Sequence, residues 1–202
     1  MASYKTIAKP GMGEFKDRGS KFLGYSYAIW SREDVDKHLA ASRALHPEAR
    51  HHCYGFVTGR KGENYYSSDD GEPSHSAGDP ILGQIRRREL TGVLVIVVRY
   101  FGGTKLGVPG LIQAYKAAAE ECLEQSGEME LEIRETVEIT FPYASTSVIE
   151  QIIHGSEVLV ESKQFEMDCT FILKIKEEDK DNWNQQLLEL VEQKCLIKFN
   201  WK

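Results

Sequence analysis

Residues 93–110 read Val-Leu-Val-Ile-Val-Val-Arg-Tyr-Phe-Gly-Gly-Thr-Lys-Leu-Gly-Val-Pro-Gly, an unbroken apolar run that leads into a glycine-rich loop. The six apolar residues from Val93 to Val98 are too few for a buried helix and too rich in β-branched side chains to favour one. A continuous apolar run of this length is typical of a strand covered on both faces. The stretch therefore predicts a buried strand over 93–100 that delivers Arg99 and Lys105 to one edge of the fold.

The loop after this strand has the chemistry to approach an anion closely. Gly102, Gly103, Gly107 and Gly110 permit positive φ and leave backbone N–H groups uncovered. Pro109 suits the first turn of a helix, so strand, loop and helix N-terminus form an anion-binding arrangement. The spacing fits neither the Walker phosphate loop nor the dinucleotide fingerprint. A tight turn that needs small residues explains the same glycines, and both interpretations stay open.

Two blocks of sequence extend this signal. The first runs from Val97 to Gly107 and continues with Gly110-Leu111 and Ala114-Tyr115; the second is Ser67-Ser68-Asp69-Asp70-Gly71-Glu72-Pro73, followed by Ala77-Gly78 and Pro80-Ile81-Leu82. Both resemble hallmarks of the Impact family, whose bacterial branch is called YigZ. Weaker family positions match at His52-Cys53-Tyr54 and Ser20-Lys21-Phe22, so the resemblance covers most of residues 1–125. His75-Ser76 and Pro109 depart from the family pattern, and Pro109 predicts a stiffer loop because proline fixes φ.

The resemblance implies a fold for each part of the chain and a cellular role. For the first part of the chain it implies a domain similar to the second domain of ribosomal protein S5. For the last part it implies a ferredoxin-like domain similar to the last domain of elongation factor G. In eukaryotic members it implies regulation of translation, by competition for the activator of the starvation-responsive initiation-factor kinase. A shared fold does not by itself give a function, so the function depends on particular residues.

Charge is distributed unevenly along the 202 residues. Residues 1–130 carry equal numbers of acidic and basic side chains, so the net charge of −6 comes entirely from residues 131–202. Ser126-Gly127 separates an alanine-rich helical pattern from an acidic, alternating one. We therefore predict an α+β protein of two domains, at 1–127 and 131–202.

The sequence predicts a protein without membrane contact. No apolar run approaches the roughly 20 residues that span a bilayer, and the first residues lack the apolar segment of a secretory signal. The four cysteines are far apart and form no C-x-x-C pair, which favours reduced thiols. We expect a cytoplasmic protein with Cys122, Cys169 and Cys195 in its core.

Periodicity and turn signals predict the elements. In the first domain they indicate strands near 4–8, 12–16, 21–29, 53–58 and 93–100, and helices near 32–45, 80–90 and 109–124. Ser31 and Asp34 form a predicted capping box, and Asp79 before Pro80 is the predicted cap of the second helix. The second domain follows the β-α-β-β-α-β order of a ferredoxin-like sandwich, with predicted elements at 134–141, 143–154, 156–163, 167–176, 179–193 and 195–201.

Residues 67–79 gather carboxylates and hydroxyls into a candidate site. Asp69, Asp70 and Glu72, with the hydroxyl of Ser76, form a set that can hold a hard cation such as Mg²⁺ or orient a hydroxyl group. The Asp-Gly and Glu-Pro pairs are equally strong turn signals, so a structural role is the open alternative. Residues 51–53, two histidines and a cysteine, lack the second ligand pair of a zinc site, and we expect no resident cofactor.

Cationic residues give the leading functional hypothesis. Arg99 and Lys105 flank the loop, Tyr100 is available for base stacking, and further cations are Lys21 and the run Arg86, Arg87 and Arg88. Cations interleaved with aromatic residues are typical of nucleic-acid surfaces, although cations at a helix C-terminus are also ordinary caps. We predict a non-enzymatic, translation-associated protein that binds RNA or the ribosome through these residues.

Two other classes of function stay open. A nucleotide- or phosphate-binding enzyme or sensor would combine Asp69, Asp70 and Glu72 with the Gly102–Gly110 loop and Mg²⁺. A protein-binding adaptor would use the acidic sheet of the second domain. Thermal stabilisation that requires both nucleotide and magnesium would indicate the sensor, and salt-sensitive RNA binding would indicate the leading hypothesis.

Overall fold

The structure is a computed structural model and describes residues 3–202. The chain divides into two compact units, Tyr4–Leu131 and Glu132–Lys202, and Ser3 groups with the second. Both combine helices with antiparallel sheets. The first part of the chain contains, in order, β1 (Ser3–Ile7), β2 (Gly11–Asp17), β3 (Ser20–Ala28), α1 (Arg32–Leu45), β4 (His51–Thr58), β5 (Asn64–Ser68), α2 (Gly78–Arg87), β6 (Val93–Tyr100), α3 (Gly107–Ser126) and β7 (Glu128–Glu132).

The first unit is built on a five-stranded sheet with the order β2-β3-β6-β4-β5, and β1 pairs separately with β7. All pairs in the larger sheet are antiparallel. Strand β6 lies at its centre, and its residues 93–98 are completely buried. Val93, Val95 and Val97 pack with α2 and α3, while the alternating Leu94, Ile96 and Val98 join the cluster that contains Val35 of α1. The prediction of a strand covered on both faces is confirmed.

Helix starts were predicted with mixed success. The capping box of α1 is present, because Ser31 Oγ accepts from the N–H of Asp34 and the Asp34 carboxylate accepts from the N–H of Ser31. Helix α2 begins at Gly78, so Asp79 lies inside its first turn and is not its cap. Helix α3 begins at Gly107, two residues before Pro109, and has no side-chain cap.

Strands β5 and β7 were not predicted. Strand β5 is an edge strand that carries Tyr65 and Tyr66, 53% and 50% exposed, so its sequence lacks the apolar alternation of a half-buried strand. Strand β7 is acidic and largely exposed, and it follows directly on the boundary predicted at Ser126-Gly127.

The second unit contains β8 (Arg134–Pro142), α4 (Thr146–His154), β9 (Leu159–Gln164), β10 (Asp168–Lys176), α5 (Lys180–Glu192) and β11 (Lys198–Trp201), in the predicted element order. Its strands form one antiparallel sheet with the order β11-β8-β10-β9. The core lies between this sheet and the two helices. Cys195 is partly buried and packs against the edge of this core, whereas Cys53, which was not assigned to the core, is fully buried. No helix within residues 3–202 is both long and apolar enough to cross a membrane.

Candidate functional site

The carboxylate block forms a tight turn between β5 and α2. The N–H of Glu72 donates to the carbonyl of Asp69 at 2.9 Å, and the two central residues, Asp70 and Gly71, have φ values of +40° and +86°. This is the conformation that an Asp-Gly pair favours, because glycine and aspartate tolerate positive φ better than other residues. The turn fixes three carboxylates in three different directions.

Asp69 is the real cap of α2. Its Oδ1 accepts from the N–H groups of Ala77 and Gly78 at 3.0 and 2.8 Å, and its Oδ2 accepts from the N–H of His75 at 2.8 Å. The carboxylate therefore satisfies N–H groups that an α-helix leaves unpaired at its start. A cap eight residues upstream in sequence could not be found from local spacing, which is why Asp79 was assigned this role wrongly.

Asp79, by contrast, lies on the surface of this segment, and Ser76 lies in its interior. Asp79 accepts from the Ser67 hydroxyl at 2.7 Å and lies 2.6 Å from His75 Nδ1; these contacts lower the pKa of Asp79, and the contact with Asp79 raises the pKa of His75. Ser76 is fully buried and donates its hydroxyl to the carbonyl of Pro73 at 2.6 Å. The hydroxyl of Ser76 is thus committed to the turn.

Asp70 ties the turn to α1 and β4. Its carboxylate accepts from Arg43 Nη2 at 2.9 Å and from the N–H of His52 at 2.7 Å. Burial favours the neutral acid, but the hydrogen bonds from Arg43 and His52 outweigh it and hold the pKa of Asp70 below its ordinary value. Asp70 is therefore ionised and fully engaged by protein groups.

Glu72 joins the two hallmark blocks of the sequence. Its Oε1 accepts from Arg99 Nη1 at 2.6 Å and from the Tyr115 hydroxyl at 2.8 Å, and the Glu72 and Arg99 side chains are 4% and 8% exposed. Burial raises the pKa of Tyr115 and of the nearby Cys53 thiol, so both groups stay protonated. The Cys53 thiol donates a hydrogen bond to the carbonyl of Asp69 at 2.9 Å and has a structural role.

The glycines of the loop differ in what they do. A Cβ on Gly102 would lie 1.9 Å from the carbonyl carbon of Gly19, so this glycine is required by close packing on the β2–β3 turn. Gly103 has φ +89° and open space around it, and Gly107 has φ +70° at the start of α3. A Cβ on Gly110 would lie 2.9 Å from Leu106 Cβ. Gly103 and Gly107 both combine a positive φ with exposure to solvent.

Beside this loop lies a cavity of about 410 Å³, which we call the loop cavity; its lining consists of Glu48, Arg50, His51, Arg99, Tyr100 and Phe101. The Arg99 guanidinium lies 5.5 Å from the ring centroids of Phe22 and Phe101. The Tyr100 hydroxyl is held 2.9 Å from His46 Nδ1. Arg50 was not singled out in the sequence, because it reaches the cavity from the start of β4 and has no local partner there.

The cationic residues do not form one surface. Arg87 and Arg88 pair with Glu120, Glu124 and Glu128 near the end of α3 at 3.3–3.6 Å, and Arg86 lies 3.6 Å from the centre of the Tyr65 ring. The glycine loop adjoins the start of α3, about 25 Å away at 1.5 Å per helical residue. The prediction that the run Arg86–Arg88 joins the loop was therefore wrong, since α2 and α3 pack with their C-termini at the same end.

The remaining predicted cations lie on the loop side. Lys21 pairs with Glu14 at 2.8 Å and is the cross-strand neighbour of Tyr100. Lys105 is exposed in the loop itself. Within residues 3–202, no group of three or more His, Cys, Asp or Glu side chains is arranged to hold a metal ion.

The acidic strands of the second unit are balanced by lysines. Glu138 pairs with Lys202 at 2.7 Å, and Glu161 of β9 pairs with Lys174 of β10 at 2.8 Å. Glu132 pairs with Lys176 at 3.2 Å, and this hydrogen bond lowers the pKa of the Glu132 carboxyl. These acidic side chains are therefore paired with lysines, which argues against the protein-binding adaptor that would use an acidic sheet.

Comparison with known proteins gives one consistent family. Residues 18–123 match the Impact N-terminal domain. IMPACT family member YvyE of Bacillus subtilis is 28% identical over 196 residues, which cover 97% of this chain and 90% of the relative. An IMPACT family member of Haemophilus influenzae is 30% identical over 192 residues, which cover 94% and 93%. A solved structure described as the crystal structure of a hypothetical protein superposes with a TM-score of 0.74 at 23% identity and covers 100% of this chain and 97% of its own. The resemblance noted in the sequence is confirmed.

Proposed function

Because the chain belongs to the Impact family, we propose that it acts in the regulation of translation in the cytoplasm and binds RNA, free or within the ribosome, through the glycine-loop side of its first unit. The observation that carries this proposal is the loop cavity, whose lining includes Arg50, Arg99 and the aromatic rings of Tyr100 and Phe101. Lys105, four residues after Phe101 in the loop, is exposed. Guanidinium groups bind phosphates, and aromatic rings stack on bases of any sequence.

The electrostatics of this side support an anionic partner. The three carboxylates of the Asp69–Glu72 turn are satisfied by a helix terminus, by Arg43 and by Arg99. Arg50 and Lys105 remain exposed toward solvent. Phe101 is 58% exposed, so its ring is accessible for stacking on a base.

Salt-dependent RNA binding tests the proposal. Three phosphate contacts, from Arg50, Arg99 and Lys105, predict that the logarithm of the binding constant for single-stranded RNA falls with the logarithm of salt at a slope of about −2. The double variant Arg50→Ala, Lys105→Ala is expected to reduce this slope to about −0.7. Arg99 is left unchanged, because its replacement would leave Glu72 buried without its partner.

A matched control comes from the other end of α3. The double variant Arg86→Ala, Arg87→Ala removes the same charge about 25 Å away and is expected to leave the slope unchanged. Equal effects of the two double variants would show that binding follows net charge alone. Absence of RNA binding at low salt would overturn the proposal.

The alternative, a magnesium-dependent nucleotide enzyme or sensor, requires Asp69, Asp70 and Glu72 to face a ligand. Each of them is instead engaged by protein donors. Stabilisation by nucleotide that requires Mg²⁺ and disappears in Asp70→Ala would favour it over RNA binding. We also propose that the two units have the S5-like and ferredoxin-like folds that the family resemblance implies; an experimental structure superposed on those domains tests this.

A further inference from the structure

The loop cavity has a more specific assignment, which rests on the proposed function. We propose that it holds one nucleotide with a terminal phosphate, which is the chemistry of a nucleoside monophosphate, either free or as the phosphorylated end of an RNA chain. The phosphate lies between the guanidinium groups of Arg50 and Arg99, and the base stacks on Phe101.

Arg99 is the buried side chain of this site, held in place by the protein. It is 7% exposed, it lines the cavity, and its Nε has no hydrogen-bond acceptor within residues 3–202. Glu72 is bonded to Nη1, whereas a guanidinium offers five donors in a rigid fork. The unpaired Nε is itself enclosed by protein, so a phosphate that enters the cavity is recognised through the edge of the guanidinium that lines it.

Two guanidinium groups line the cavity and offer more N–H donors than Glu72 takes up, which favours the phosphate group with the most free oxygen atoms. A phosphate monoester carries about −1.5 to −2 charges at neutral pH, whereas each phosphodiester inside an RNA chain carries one. Arg50 lines the cavity and is exposed, so its guanidinium is accessible to a ligand. Glu48, also exposed, is an acceptor suited to a ribose hydroxyl and opposes a second phosphate.

The cavity has the size and the walls for a single nucleotide. Its volume of about 410 Å³ is near the lower end of the range for small-molecule sites, about 300–1,000 Å³, which is room for about one nucleotide. Phe101 exposes 58% of its surface and provides a stacking face. His51 donates from Nδ1 to the Asp70 carbonyl, which fixes its ring on the cavity wall.

Two sets of probes test the assignment. Calorimetric titration compares AMP with adenosine and with inorganic phosphate, and fluorescence anisotropy compares a short RNA of one sequence with a 5′-phosphate, a 3′-phosphate or hydroxyl ends. We expect AMP to bind at least about tenfold more tightly than adenosine, and one phosphorylated end to improve RNA binding by a similar factor.

Variants separate the phosphate site from general RNA binding. Arg50→Ala is expected to bring the ratio of affinities for phosphorylated and hydroxyl-ended RNA close to one. Lys105→Ala is expected to weaken the binding of all RNAs equally and to leave this ratio unchanged. Phe101→Ala is expected to weaken AMP but not inorganic phosphate. Arg87→Ala, a change of the same kind at the far end of α3, is expected to alter none of these ratios. Thermal unfolding of each variant checks that it is folded.

The outcomes distinguish the two proposals. Salt-sensitive RNA binding without any preference for a phosphorylated end, together with equal affinity for AMP and adenosine, would overturn this inference and leave the proposed function intact. AMP binding that depends on Arg50, without RNA binding, would support the site for a free nucleotide and overturn RNA binding. No binding of any probe would overturn both.

Discussion

The buried ion pair between Glu72 and Arg99 is the interaction whose removal is expected to cost most. Its side chains are 4% and 8% exposed, and the charged atoms are 2.6 Å apart. Solvent therefore screens the pair little, and removal of one partner leaves a buried charge uncompensated, which costs about 3–5 kcal/mol. We expect Arg99→Met to lower the free energy of unfolding of the first unit by this amount. Glu72→Gln should cost less, about 2–3 kcal/mol, because glutamine still accepts from Tyr115.

A double-mutant cycle measures the pair itself. The combined variant Arg99→Met, Glu72→Gln removes both charges and is expected to cost at least about 2 kcal/mol less than the sum of the single variants. Hydrogen exchange along a urea series, measured in peptides from β6, follows the first unit separately from residues 132–202. The exposed Arg87→Met is the control and should change stability by less than about 0.5 kcal/mol. A loss below about 1 kcal/mol for Arg99→Met, or a double variant that costs the full sum, would refute the reasoning.

Three further changes have defined outcomes. Asp69→Ala leaves the start of α2 without its acceptor and should cost about 1–3 kcal/mol in urea unfolding, whereas Asp69→Asn should cost less because its amide oxygen still accepts. Gly102→Ala places a Cβ 1.9 Å from the backbone of Gly19 and should prevent the first unit from folding. Gly103→Ala meets open space and should lower the free energy of unfolding by only about 1–2 kcal/mol, which is the cost of a positive φ for alanine. Thermal unfolding of the two variants tests this difference. His52 is 1% exposed, and burial lowers its pKa below the ordinary 6.5, so on acidification the unfolded chain takes up the proton before the folded protein does. The urea midpoint should therefore be constant above about pH 6.5 and should fall as the pH drops below that value. The variant His52→Gln should make this fall smaller.

Local and strongly periodic features were predictable from the sequence. The six apolar residues of β6 could be assigned because length and β-branching exclude a buried helix. The Ser31–Asp34 capping box was found because both partners lie within one turn. The element order of the second unit followed from the alternation of two periodicities along the chain.

Features that depend on contacts distant in sequence were not predictable. Asp69 caps a helix eight residues downstream through a turn whose shape local spacing does not report. The direction of packing between α2 and α3 decides that Arg87 meets Glu120 and not the glycine loop, and no local pattern encodes that direction. Arg50 belongs to the loop cavity only because β4 lies beside β6 in the sheet.

The residues that carry the family resemblance hold the wall of the loop cavity in place. Asp70 attaches the β5–α2 turn to β4, and Glu72 attaches the same turn to the end of β6 through Arg99. Because the Glu72–Arg99 contact is buried, the Arg99 guanidinium is positioned before any ligand arrives, which lowers the entropic cost of binding. Arg50 and Phe101 are exposed and make up the adaptable side of the cavity. Substitutions in the turn should therefore change stability, whereas substitutions at these two positions should change which ligand binds.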